Sequence, residues 1–375
     1  MELFQVKPNV YYGKDSLSSL KKLDIKKVFI VTDENMVRLK VINHVTNILE
    51  SMNLEIKIFS GVKPDPTDVE IVNGMVEMNK FNPDCIIALG GGSPIDACKA
   101  MIYFTNKIKR ATDEKIEKQI FVVIPTTSGT GSEVTTYSVI TANGEKIALS
   151  DEEMLPNIAI LDPEFIRTLP PQIIADTGMD VLTHAIEAYV SLKSNLFTDS
   201  LAMGAIKTVF NDLVKNFEDP ELETERVNMQ LASCMAGIAF SNSSLGINHS
   251  IAHAIGAKYH VAHGRANAVI MPKIILFNSM VQNASDNYDE IARSLDFNIK
   301  QKGEGASLLS RAIEIRKTKM GLPSSLRDLG IDKSQYSKDL EDIMDLVEKD
   351  ICTEYNPRKF NRVQLKELLE NLYWF

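Results

Sequence analysis

Between residues 27 and 163, short apolar runs alternate with longer amphipathic stretches. The runs are KVFIVT at 27–32, LEIKIF at 54–59, CIIALG at 85–90, IFVVIP at 120–125 and IAILDP at 158–163, while helical spacing fills 35–52, 67–81 and a segment from about 93. A chain that repeats strand and helix in this way buries both faces of its strands only in a mostly parallel sheet flanked by helices.

After IAILDP the pattern changes. Segments such as ADTGMDVLTHAIEAYVSL and ERVNMQLASCMAGIAF carry apolar residues three and four apart, and the strand pattern does not return. TLPPQ at 168–172 marks the boundary, so an α/β domain is expected over 1–172 and an all-helical domain over 173–375. At 375 residues the chain exceeds the size at which a single core keeps growing, which agrees with two domains.

Charged residues make up 24% of the chain and the net charge is −9, so there is no broad attraction to nucleic acid or an anionic membrane surface. No uninterrupted apolar stretch of about 18 residues occurs, and MELFQVKPNVYYG at the start has no basic segment followed by an apolar run. A soluble cytoplasmic protein acting on small molecules is expected. Cys85, Cys98, Cys234 and Cys352 are far apart and form no C-x-x-C pair, against both a disulfide framework and a thiolate metal site.

ALGGGSPIDACKA sets Gly90, Gly91 and Gly92 between a strand and a helix whose first turn carries Ser93 and Pro94. Glycines let a phosphate approach the backbone, proline suits the first helical turn, and the unpaired N–H groups there attract anions. The turn is not G-x-G-x-x-G and follows a later strand than the usual dinucleotide fingerprint. IPTTSGTGSEVT at 124–135 supplies a second loop, with hydroxyls on Thr126, Thr127, Ser128 and Thr130. VFIVTDEN ends a third strand in Asp33, placed to accept hydrogen bonds from a ribose. Ligands of open α/β sheets bind at such strand ends, which points to a nucleotide.

The helical half concentrates histidine. Four of the six histidines, His249, His253, His260 and His263, fall within residues 247–272. Asp180 and His184 are four apart on a helix, hence on one face, and His249 and His253 repeat that spacing. An imidazole on an apolar helix costs free energy unless it is bonded, and a metal ion bonded by both pairs would remove that cost. A site begun by Asp180 and His184 needs one or two of the four histidines to complete it. His44 reads as a surface residue, and His260 has no partner at helical spacing.

GGGSPID, PTTSGTGSE, DPEFIRTLP, TGMDVLTHAIEAYVS, GINHSIAHAIG, HGRANAVIMP and NPRKF follow one another over nearly the whole chain. In that order they resemble the signatures of the iron-containing alcohol dehydrogenases, the group that includes lactaldehyde, 1,3-propanediol and butanol dehydrogenases. The resemblance implies an α/β dinucleotide-binding domain followed by an all-α metal-binding domain, an architecture shared with dehydroquinate synthase. It implies one divalent ion, Fe2+ with Zn2+ as the alternative, held by Asp180, His184, His249 and His263. His253 then stands near nicotinamide and substrate as a proton relay. The resemblance also places pyrophosphate on Gly91, Gly92 and Ser93 with Asp96 in the same turn, further cofactor contacts on Thr126, Thr127, Thr130 and Lys146, and Asp33 at the adenosine ribose. It aligns Phe240 and Cys352 with the substrate pocket.

The expected activity is metal-dependent hydride transfer between NAD(H) and a small primary alcohol, a diol or the aldehyde, by a homo-oligomer. NAD is expected over NADP, because the Asp33 carboxylate would repel a 2′-phosphate. The alternative is a metal- and NAD-dependent carbon–oxygen lyase of the dehydroquinate synthase type. Such a site must bind carboxylate and phosphate groups, yet CMAGIAFSNSSLG and VLTHAIEAYV contain no lysine or arginine.

Overall fold

The computed structural model describes residues 3–142 and 145–374. The chain falls into two compact units, Gln5–Leu169 and the part from Pro170 onward, the latter joined by the N-terminal segment that ends at Phe4.

The first unit contains the strands β1 (Asn9–Tyr12), β2 (Lys27–Asp33), β3 (Glu55–Val62), β4 (Cys85–Gly90), β5 (Ile120–Pro125), β6 (Tyr137–Ala142), β7 (Glu145–Ser150) and β8 (Ile158–Leu161). Six of them form a wholly parallel sheet in the order β1-β8-β5-β4-β2-β3. Its helices are α1 (Glu34–Arg38), α2 (Asn43–Ser51), α3 (Asp68–Phe81) and α4 (Gly92–Ala111). The two-residue period of the strands assigns their side chains to two cores. Phe29, Val31, Ile86, Ala88, Phe121 and Val123 pack with residues of α3 and α4 on one face. Val28, Ile30, Ile87, Leu89, Val122 and Ile124 pack with Val45 and Leu49 of α2 on the other. That double burial is why the strands read as continuous apolar runs.

Three details differ from the sequence expectation, the first being that β1 joins the sheet without an apolar run to announce it. The amphipathic stretch at 35–52 is two helices, because Lys40 adopts φ 58°, a left-handed conformation that a helix does not propagate through. The segment after β5 carries an antiparallel hairpin, β6 with β7, outside the main sheet. β6 is partly buried and the described residues of β7 are mostly exposed, and neither strand has the apolar run that marks the others.

The second unit is helical throughout: α5 (Pro171–Val190), α6 (Leu196–Glu218), α7 (Glu223–Ser243), α8 (Ile247–Tyr259), α9 (His263–Asn278), α10 (Gln282–Ser294), α11 (Gly305–Lys319), α12 (Lys333–Lys349) and α13 (Arg362–Leu372). Every residue of α5 from Gly178 to Val190 is buried, the mark of a central helix that others surround. It packs against α6, α7 and α9. Among the described residues, no helix is long and apolar enough to cross a membrane.

Candidate cofactor and metal sites

The three loops singled out above leave neighbouring strands. β4 pairs with β5 so that Gly90 faces Pro125, and with β2 so that Val31 faces Ala88. Asp33, the glycine turn and the threonine loop therefore emerge side by side at the C-terminal edge of the sheet. The connection also reverses there: β3 lies outside β2 in one direction and β5 outside β4 in the other, so β2 and β4 flank the switch point where nucleotides bind. Gly90 has φ 153°, and a Cβ there would stand 2.5 Å from Pro94 Cγ, so the turn into α4 requires glycine. Gly91 caps α4 without a side-chain hydrogen bond, which leaves the first-turn N–H groups to an anion. The threonine loop closes over the turn. A Cβ on Gly92 would meet Thr130 Cγ2 at 3.0 Å, and one on Gly91 would meet Thr127 Cγ2 at 3.4 Å. Thr126 N donates to Gly90 O at 2.9 Å, and Ser93 opens α4 half-buried.

Asp33, Asp96 and Lys146 each carry bonds the sequence does not announce. Asp33 Oδ1 caps α1, accepting from Asn35 N at 2.8 Å and Met36 N at 3.2 Å. Asp96 is turned inward, Oδ1 accepting from Ser132 Oγ at 2.8 Å and Oδ2 from Val139 N at 3.1 Å. Burial raises its carboxyl pKa. Lys146, exposed on β7, pairs with Asp65 Oδ1 at 2.7 Å.

In the helical unit, Asp180, His184, His249 and His263 each bring a ligand atom within 4.8 Å of the others. Asp180 and His184 come from α5, His249 from α8, and His263 opens α9. The approach of α9 to α5 depends on Gly264, where a Cβ would stand 2.1 Å from Asp176 O. Asp180 Oδ1 lies 3.8 Å from His249 Nε2 and 3.5 Å from His263 Nε2. Four ligands at about 2.1 Å around one tetrahedral ion stand about 3.4 Å apart, so this spacing suits a divalent metal. The amide Nδ2 of Asn267 sits among the same atoms, 2.7 Å from Asp180 Oδ1, 3.2 Å from His249 Nε2 and 3.1 Å from His263 Nε2. An amide nitrogen has two hydrogens and cannot serve three acceptors, whereas a cation can. Burial and the surrounding imidazoles hold His249 well below the usual histidine range, and a neutral imidazole is what a metal takes. Burial raises the pKa of Asp180 as long as no cation balances it.

Other side chains orient these candidate ligands. His249 Nδ1 lies 2.5 Å from Glu187 Oε2, and Asn248 Nδ2 donates to Asn267 Oδ1 at 2.8 Å. His253 stands outside the four, its ring stacked on His263 at 5.2 Å and its Nδ1 2.8 Å from Asp350 Oδ2. Burial pushes the Asp350 carboxyl up, but the hydrogen bond and charge of His253 outweigh it and hold the group at about 2. Phe240 stacks on His184 at 4.6 Å, and buried Cys352 donates its backbone N–H to Asp350 Oδ1 at 2.8 Å. His260 caps α8 in a left-handed conformation, and His44 is exposed.

Sequence reasoning missed Glu187, Asn267 and Asp350. Two had a local signal: Glu187 lies three residues after His184 on a buried helix, and Asn267 lies four after His263. Asp350 is 97 residues from His253 and had none.

Comparison with known proteins accounts for both units. Residues 8–163 match the model of the iron-containing alcohol dehydrogenases, and residues 174–373 match that of the Fe-containing alcohol dehydrogenase family, C-terminal. The NADPH-dependent butanol dehydrogenase of Clostridium saccharobutylicum is 39% identical over 100% of this chain and 98% of its own. The 1-propanol dehydrogenase of Salmonella typhimurium is 38% identical over 99% and 100%. Among solved structures, the iron-containing alcohol dehydrogenase of Thermococcus thioreducens superposes with a TM-score of 0.91 at 30% identity over 99% of both chains. A 1,3-propanediol oxidoreductase gives 0.90 at 29% over the full length of both. These matches set the lyase alternative aside. The chain belongs to the iron-containing alcohol dehydrogenase family and is an alcohol/aldehyde oxidoreductase.

Proposed function

We propose that the protein transfers a hydride between NAD(H) and a small primary alcohol, a diol or the corresponding aldehyde, with Fe2+ held by Asp180, His184, His249 and His263. The gathering of one carboxylate oxygen and three imidazole nitrogens within 4.8 Å of one another carries this reading. When bound, the cation supplies Lewis acidity to the substrate oxygen, and the nicotinamide gives or takes the hydride. Asp180 contributes negative charge to a buried site and the three histidines contribute neutral nitrogens, a set that also accepts Zn2+. Glu187 fixes the ring of His249 so that Nε2 faces the ligand cluster. His253, oriented through Nδ1 by Asp350, has Nε2 for the hydroxyl proton. Phe240, against His184, and Cys352, beside Asp350, supply apolar surface for a short carbon chain. The names of the butanol and propanol dehydrogenases among the relatives support a substrate of that size.

In the α/β unit, Gly91, Gly92 and Ser93 receive the pyrophosphate, Thr126, Thr127, Thr130 and Lys146 add further cofactor contacts, and Asp96 supports the turn through Ser132. Asp33, with one carboxylate oxygen on α1, turns the other to the adenosine ribose and favours NAD, although one relative bears the name NADPH-dependent. Leu196 and Phe197, 82% and 64% exposed beside Phe4, support a homo-oligomer, which the mass in solution tests. The central test is NADH oxidation with butanal by metal-stripped protein reloaded with Fe2+ or Zn2+, beside elemental analysis after anaerobic purification. Full activity in stripped protein overturns the metal assignment, and no turnover with any short aldehyde overturns the reaction.

A further inference from the structure

The reaction as derived makes no use of Lys99, a lysine that is 0% exposed. It lies on α4 about two turns beyond the glycine turn. Its Nζ reaches five oxygens: Ser132 O at 2.6 Å, Ser132 Oγ at 3.0 Å, Thr135 O at 2.8 Å, Thr135 Oγ1 at 3.0 Å and Tyr137 O at 2.8 Å. All five belong to the segment that directly follows the hydroxyl row Thr126, Thr127 and Thr130. Asp96, one helical turn back on α4, takes the same segment by Ser132 Oγ and Val139 N. Burying an ammonium costs free energy unless its donors are satisfied, and here a single loop satisfies them. The residues just before that segment are the ones in contact with the glycine turn, Thr130 against Gly92 and Thr127 against Gly91. A loop clamped at one stretch and touching the glycine turn at the adjoining one has its hydroxyls set before a ligand arrives.

We propose that Lys99 is a positioning residue of the cofactor site: it ties residues 132–137 to α4 and thereby keeps Thr127 and Thr130 against the turn that receives the pyrophosphate. This rests on the cofactor reading given above. The ammonium itself does not touch the cofactor and acts through the loop. Burial lowers its pKa to about 8, and the nearby charges of Asp96 and Glu133 work against that fall.

The test uses the full-length, iron-loaded protein with NADH as the probe. Lys99→Met should raise both Kd and KM for NADH about tenfold, as expected when a preorganised loop is loosened, while iron content and KM for butanal stay at wild-type values. A folded Lys99→Met protein with wild-type NADH affinity overturns the proposal. Should that variant not fold, Ser132→Ala and Thr135→Val each remove one hydroxyl acceptor and should each weaken NADH binding with unchanged iron content; wild-type affinity in both overturns it. Gly91→Asp separates this from failure of the cofactor reading, since it sets a carboxylate in the turn. If Gly91→Asp weakens NADH binding and the Lys99 variants do not, only the positioning role is wrong; if none of them affects NADH, the cofactor reading is wrong.

Discussion

His249 Nδ1 and Glu187 Oε2 stand 2.5 Å apart, and the second carboxylate oxygen of Glu187 accepts the N–H of Asn248 at 2.7 Å. The carboxylate is thereby fixed between α5 and the first turn of α8, and with it the imidazole. Burial pushes the Glu187 carboxyl up to about 8. With a cation held at Nε2, Nδ1 would carry the proton and Glu187 the charge. Glu187→Gln keeps the shape and removes that charge. It should lower metal affinity about 10- to 100-fold, measured by titrating stripped protein. Unchanged affinity would show that Glu187 only packs.

His249→Ala and His253→Ala should differ in kind, although the residues are one turn apart on α8. The first should lose metal and activity together. The second should keep its metal while turnover falls, because His253 lies outside the ligand set and bonds to Asp350. Metal content measured beside kcat decides, and metal loss from His253→Ala with retention in His249→Ala would reverse the assignment.

The strands, the helical half and the pairing of Asp180 with His184 on one helix face were legible because each is a local pattern. β2, β4 and β5 are buried on both faces and so announce themselves as apolar runs, and Asp180 and His184 share a helix face. The support around them was not legible. Whether Asp350 or any other acid meets His253 depends on how α8 and the chain after α12 pack, and no spacing in the sequence encodes it. Asp96 shows the converse: its place in the glycine turn invites a cofactor role, yet its oxygens face Ser132 and Val139, because the loop after β5 folds back onto α4.

Glu133 should make the stability of the α/β unit fall as pH rises. Burial raises its carboxyl pKa from 4.5 to about 7, so the unfolded chain releases this proton before the folded protein does. Between those pH values the folded state binds more protons, and ΔG of unfolding declines with pH. Above about 7 both states are ionised and the penalty is constant. Glu133→Gln has no proton to lose, so its stability relative to wild type should grow by up to roughly 3 kcal/mol across that window and then level off. Unfolding of metal-stripped wild type and variant at a series of pH values measures it. Parallel curves would show that Glu133 is ionised in the folded protein throughout.

Cofactor choice is predicted to turn on Asp33. The residue ends β2 beside the switch point, with Oδ1 held by Asn35 N and Met36 N, so the carboxylate cannot swing away from an incoming ribose without uncapping α1. A fixed carboxylate accepts hydrogen bonds from ribose hydroxyls but repels the 2′-phosphate of NADP. The nearest basic side chain in sequence, Arg38, donates to Asn35 Oδ1 at 2.8 Å within the same short helix. One half-buried charge should discriminate by about 1–3 kcal/mol, or roughly ten- to a hundredfold in catalytic efficiency. Asp33→Gly should improve NADPH use by that order and lower NADH efficiency, with a small stability loss from the vacated cap. The quantity to measure is the ratio of kcat/KM for the two cofactors in both proteins at matched ionic strength, because the repulsion is screened by salt. A wild type that already prefers NADPH, as the name of its butanol dehydrogenase relative would have it, or a ratio unmoved by the substitution, would show that Asp33 serves α1 alone.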